Sequence, residues 1–150
     1  MNFDEFRNLF KNTGFAEREI KIGAVLKYWA TETNPPKQKI RIIVGFSNDK
    51  VLVATLFINT EINPNVFPTE ELRKLHLVFE KTRCEYLDHD SFVDCSQLHE
   101  VSYGNLVTIL NENPTVVSGE VANTDLENIK NIIKNAPTIT PKQKKKFGFL

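Results

Sequence analysis

Ile40-Arg-Ile-Ile-Val-Gly-Phe-Ser-Asn-Asp-Lys-Val-Leu-Val-Ala-Thr-Leu-Phe-Ile58 holds two apolar runs of strand length with a polar break between them. The runs, residues 40–47 and 51–58, are rich in β-branched and aromatic side chains, which suit a pleated surface. Ser47-Asn-Asp-Lys50 supplies the turn chemistry that joins two antiparallel strands. Upstream, Ile20-Lys-Ile-Gly-Ala-Val-Leu-Lys-Tyr-Trp-Ala30 begins with alternation and holds β-favouring residues, so a third strand precedes the pair. Asn34-Pro-Pro-Lys-Gln-Lys39 reads as the loop between them, because two prolines cannot sit in a central ladder.

The rest of the chain is read outward from this three-strand start. Phe3, Phe6, Leu9 and Phe10 recur at helical spacing, predicting a helix over 3–12 that ends near Gly14. Pro64 and Pro68 mark a break before Thr69-Glu-Glu-Leu72, where Thr69 caps a short helix and Glu70 and Glu71 face its positive end. Extended chain follows around 77–79, and residues 84–95 suggest two strands joined near 88–90. A helix over 103–110 is capped by Ser102, and 115–121 is strand-like, ending near Gly119. Asn123 or Thr124 caps the clearest helix, whose apolar face is Leu126, Ile129, Ile132 and Ile133. Pro137 closes it, and Thr140-Pro141 starts a last basic turn. Many short strands between turn signals predict a mainly β protein: a small antiparallel barrel of five to seven strands, with an N-terminal and a C-terminal helix. No linker or repeat divides the chain, so residues 1–150 read as one domain. Residues 1–18 form a helical extension, 20–135 the barrel core with its helices, and 136–150 a basic tail.

Composition bounds the function. The chain has 150 residues, 41% of them hydrophobic and 25% charged, which fits a soluble globular domain. No apolar run approaches the roughly 18 residues of a membrane helix, and the acidic, amphipathic start is not a secretory signal. Two cysteines, Cys84 and Cys95, are too few for a disulfide scaffold. A reduced, cytoplasmic protein without membrane partners is expected. Nineteen basic and nineteen acidic residues cancel, so no global field draws the chain to nucleic acid. Charge is uneven, however: Lys142, Lys144, Lys145 and Lys146 make the tail basic, while Asp88, Asp90, Asp94 and Glu100 make the middle acidic.

The order of elements resembles the MazF/PemK-like toxin family, whose members share an SH3-like barrel. Lys21-Ile-Gly-Ala-Val-Leu26 is similar to its opening strand. Arg41-Ile-Ile-Val-Gly-Phe-Ser-Asn-Asp49 resembles its arginine-led second strand and turn. Residues 51–60 resemble its third strand, with Asn59-Thr60 where a Thr-Ser pair is common. Ser91-Phe-Val-Asp-Cys-Ser-Gln97 resembles the strand before the internal helix, and Gly119-Glu-Val121 with helix 124–135 the closing elements. The match covers about residues 20–135. It implies a metal-independent endoribonuclease or single-stranded RNA binder in a toxin–antitoxin or related defence system. A homodimer and an antitoxin segment in the RNA groove are implied with it, and no cofactor or metal. Three positions depart from the family: Ile42 stands where a proline usually follows the arginine, and Asp94 and Ser96 fall at the places of an arginine and an acid. Those departures keep open an inactive protein-interaction module on the same barrel, contacting its partner through the N-terminal Phe-rich helix.

RNA cleavage without a metal needs a base for the 2′-OH, an acid for the leaving oxygen and a cation or donor for the phosphorane. His89 or Asp90 would supply base or acid, Arg41 the cation, and Thr60 and Ser96 the phosphate donors; the candidate catalytic set is thus Arg41, Thr60, His89 and Ser96. Asp88, His89 and Asp90 are read first as a turn, since polar residues at strand ends more often bond nearby backbone groups. Ser96 lacks the G-x-S-x-G elbow of a hydrolase nucleophile, and His76, His89 and His99 show no metal-ligand spacing. Asp94 beside Cys95 would raise its thiol pKa, so Cys95 reads as a small buried residue. A hairpin centred on 89–90 would set Cys84 opposite Cys95. Tyr28 and Trp29 either pack the barrel mouth or stack RNA bases beside Lys37 and Lys39.

Overall fold

In the computed structural model, which describes residues 2–5 and 14–150, the three-strand start forms as the pattern predicts. Strands β1 (Ala24–Ala30), β2 (Lys37–Phe46) and β3 (Leu52–Asn59) pair antiparallel. β2 begins inside the expected 34–39 loop, so Lys37, Gln38 and Lys39 lie in the ladder opposite β1. The prolines stay outside the ladder, and the Asn34–Pro35 bond is cis. Four short strands complete the sheet: β4 (His76–Phe79), β5 (Ser91–Asp94), β6 (His99–Ser102) and β7 (Val117–Glu120). The path runs β4-β5-β3-β2-β1-β7, with β6 also on β3. The curled sheet makes a half-barrel with several short helices, so the mainly β, barrel-like fold expected from the sequence is what the chain adopts.

Both faces of β1–β3 are covered, which explains their near-continuous apolar runs. One face places Val25, Ile42, Leu56 and Ile58 against Ile129 and Ile133 of the helix Asn123–Asn135. The other places Leu26, Ile43 and Val53 against Leu106 and Leu110 of the helix Tyr103–Glu112, with Ala16 from the helix Phe15–Glu19. From residue 14 onward the helices are, in chain order, α1 (Phe15–Glu19), α2 (Glu70–Arg73), α3 (Tyr103–Glu112), α4 (Asn123–Asn135) and α5 (Pro141–Lys146), with a 3-10 turn at Pro114–Val116. Thr69, Ser102 and Thr140 cap α2, α3 and α5 by accepting from the amides of Leu72, Asn105 and Gln143. Of the expected helix 3–12, residues 3–5 are helical and 6–13 lie outside the described residues.

Three expectations are corrected. Residues 84–95 hold one strand rather than two, because β5 pairs with β4 and the chain from 80 to 90 is a connection of turns. Cys84 and Cys95 are therefore not cross-strand neighbours of a hairpin centred on 89–90; both are free and buried. Helix α4 starts after Ala122, which makes no side-chain cap, so neither Asn123 nor Thr124 serves as one. Among the described residues no helix is long and apolar enough to cross a membrane.

Gly119 shows how tightly the 80–90 connection packs on the sheet. A Cβ built there would lie 2.6 Å from Cδ1 of Tyr86, inside any tolerable contact. Gly119→Ala must displace the Tyr86 ring, at a cost of about 1–3 kcal/mol. In urea unfolding, Gly119→Ala should lose this amount, while adding it to Tyr86→Ala should cost much less. An additive pair would show that the two residues do not meet.

Candidate functional site

The sheet's unusual pairing at β3 builds the site. β6 pairs with residues 52–55 of β3 and β5 with residues 58–59, so two short strands share one edge end to end. Asp94 ends β5 and His99 begins β6, and the four-residue crossing between them brings both beside Phe57. A bulge adds its own shift. The β2–β3 register changes between Ile43 and Gly45, and beyond it Arg41 lies opposite Phe57 and Ile40 opposite Ile58.

Phe57 is the hub of a basic cluster. The His99 ring lies over it with centroids 3.9 Å apart, Lys39 Nζ is 5.0 Å from its centroid, and the Arg41 guanidinium carbon 4.9 Å. Tyr28 covers the other side of Arg41 at 4.6 Å. Arg41 is fully buried. Its Nη2 donates to Glu32 Oε1 at 2.5 Å and its Nη1 to Thr55 Oγ1 at 3.4 Å, while Nε has no partner. Lys39 donates to the Asn59 side chain. Asp94 Oδ1 accepts from the Ser96 amide at 2.9 Å and hydroxyl at 2.5 Å, and lies 3.6 Å from Nε2 of the buried His76.

These groups perturb one another. Burial first, then the charge of Arg41, lowers the His99 pKa below its ordinary value; Asp94 and Glu32 oppose them more weakly. Its imidazole is therefore neutral at pH 7 and able to accept a proton. Burial, with Lys37 next, lowers the Lys39 ammonium, against the pull of Asp94. Burial works against the charge of Glu32, but hydrogen bonding and charge from Arg41 outweigh it and hold the carboxyl below its usual range.

Lys39, Phe57, Asn59, Thr60, Asp94 and His99 line an open cleft of about 750 Å³, bordered by Thr33 and Asn34 of the β1–β2 connection. The four residues expected from sequence are placed differently from one another. Thr60 lines this cleft. Arg41 lies buried beside it, behind Phe57. Ser96 is buried on Asp94 and faces a neighbouring hollow with Gln97 and Thr138. His89 is exposed in the 80–90 connection and is not among the cleft residues. Sequence reasoning missed His99 and Glu32, and named Lys39 only as a cation beside Tyr28 and Trp29. Trp29 is 61% exposed, which goes against the alternative that it packs a barrel mouth; its strand partner Gln38 lines the cleft.

Cys95 is fully buried, and burial with the Asp94 charge pushes its thiol up to about 12. Both thiols are expected to resist a disulfide reagent in the native protein and to react at once in denaturant. Rapid native labelling of Cys95 would contradict its packing.

Compared with known protein families and with curated proteins, the chain matches none.

Proposed function

We propose that the protein binds single-stranded RNA in this cleft and cleaves it without a metal, His99 acting as base and Lys39 as the cation at the phosphorane. The observation that carries the reading is the gathering of His99, Lys39 and Arg41 around the single ring of Phe57. A neutral imidazole can take the 2′-OH proton as the 2′-oxygen bonds to phosphorus, and an ammonium close by offsets the charge that develops on phosphate. The P–O5′ bond then breaks, and the leaving oxygen takes its proton from water that reaches the open cleft. Asn59 and Thr60 add polar partners for phosphate or base. The resemblance of residues 20–135 to the MazF/PemK-like family supports the same chemistry. With it come the proposals of a cytoplasmic toxin–antitoxin or related defence role, a homodimer, and an antitoxin segment that occupies the cleft.

Labelled single-stranded RNA incubated with the protein in EDTA tests this. Discrete cleavage is expected, with Lys39→Ala binding more weakly and losing about one phosphate contact from the salt dependence. RNA that is neither bound nor cut would reject the reading. It would favour the second one, an inactive protein-interaction module, for which the exposed apolar side chains of Val66 on the cleft and Trp29 beside it speak.

A further inference from the structure

Arg41 is held in a way that leaves its hydrogen-bonding capacity half used. A guanidinium carries five N–H donors in a planar fork and is matched best by two acceptor oxygens at once. Here one carboxylate oxygen of Glu32 meets Nη2, a long bond from Nη1 reaches Thr55, and Nε is buried with nothing to donate to. Leaving such a donor unmet in a closed site is costly. Yet the side chain is fixed: it is fully buried, with Tyr28 and Phe57 on either side.

Its partner is held much more loosely. Glu32 belongs to the connection between β1 and β2 rather than to a strand, and its side chain is 39% exposed where that of Arg41 is fully covered. The carboxylate can therefore leave without breaking a strand ladder. The next two residues, Thr33 and Asn34, border the cleft, so a ligand seated there touches the segment that carries Glu32. With Glu32 withdrawn, Arg41 and Lys39 face Asp94 as the charged groups around Phe57 and His99. The vacated place then favours an anion.

Taking the cleft as the RNA site proposed above, we infer that Arg41 is the centre of a phosphate-binding site which the Glu32 carboxylate fills in the free protein, and which an RNA phosphodiester takes over by displacing Glu32. The tetrahedral group brings several acceptor oxygens where Arg41 now meets one carboxylate oxygen besides the Thr55 hydroxyl. The contact with Glu32 makes the free protein self-inhibited, since the measured affinity for phosphate is the intrinsic one reduced by the fraction of molecules in which Glu32 has left.

The test follows the Arg41 Nε–H signal by NMR during titration with inorganic phosphate, in wild type and in Glu32→Gln. Glu32→Gln keeps an amide oxygen for Arg41 but removes the competing charge. It is expected to bind inorganic phosphate at least about tenfold more tightly than wild type, with the Arg41 signal moving and saturating. Equal affinity in the two proteins, or an Arg41 signal that does not move, overturns the inference. Should Glu32→Gln not fold, the wild type decides alone. A saturable shift of Arg41 together with the Thr33 and Asn34 amides supports the displacement, and its absence overturns it. Single-stranded RNA added to the same samples separates the two readings. RNA binding that leaves the Arg41 signal unmoved sinks the Glu32 device and keeps the RNA site. Phosphate capture without RNA binding does the reverse.

Discussion

Arg41→Ala is expected to lower the unfolding free energy by roughly 3–5 kcal/mol, the range for emptying a large buried position, read as a fall in the urea midpoint. Arg41→Met should recover most of that loss. The reason is the asymmetry of buried ion pairs: a well-packed apolar replacement is often neutral, and here the partner can turn to water because Glu32 is partly exposed. Met would lie between Tyr28 and Phe57, as the Arg41 stem and guanidinium do now. The pair of variants therefore separates two roles of one residue. If Arg41 serves phosphate, Arg41→Met stays folded and loses phosphate binding. If Arg41→Met proves as unstable as Arg41→Ala, the guanidinium is needed for the fold and the packing argument fails.

His99→Gln is expected to lower the rate of RNA cleavage by about 10²–10⁴, the usual contribution of a positioned general base, with RNA binding little changed. In wild type the rate should fall on the acid side, with a midpoint below the ordinary histidine value because burial and Arg41 depress the pKa. That limb should be missing from the residual activity of His99→Gln. Stability gives an independent check. The folded protein holds fewer protons on His99 than the unfolded chain between the two pKa values, so wild-type stability falls as pH drops through that window and levels off below the folded pKa. His99→Gln should lack this dependence. A rate within a few-fold of wild type, or an unchanged acid limb, would remove His99 from the chemistry.

The limits of the sequence lie in particular residues. The β1–β3 meander was legible because β-branched runs flank a four-residue turn, and three helix starts were legible because Thr69, Ser102 and Thr140 are good caps. The register was not. Counting outward from the Phe46–Val53 pair would set Arg41 opposite Ile58 and Lys39 opposite Thr60; the bulge between Ile43 and Gly45 moves each by one residue. No local pattern announces a bulge whose glycine also looks like any glycine in a strand. His99 was missed for a different reason. Nothing near it in sequence marks it, and it reaches Phe57 through the pairing of β6 with residues 52–55, more than forty positions earlier by its bond from Thr55. His89 drew attention because acids flank it, and the structure leaves it exposed in the 80–90 connection. The acid-rich turn was thus readable as a turn, while the histidine of the cleft depended on long-range pairing.

Gly45 has a consequence for how the chain is made. Phe147 and Phe149 are buried on the face that carries Val44, and a Cβ at Gly45 would come within 3.1 Å of the Phe147 carbonyl oxygen. The meander is synthesised before this part of its covering, which arrives only with Phe147 and Phe149. Until those two aromatic side chains emerge from the ribosome, Val44 and its neighbours present uncovered apolar surface, and such surface on a partly folded chain invites aggregation or chaperone capture. A nascent chain halted before Phe147 would then be held longer by chaperones than one that includes Phe149. The timing of translation, as much as the sequence, would decide how much of the protein reaches its folded state.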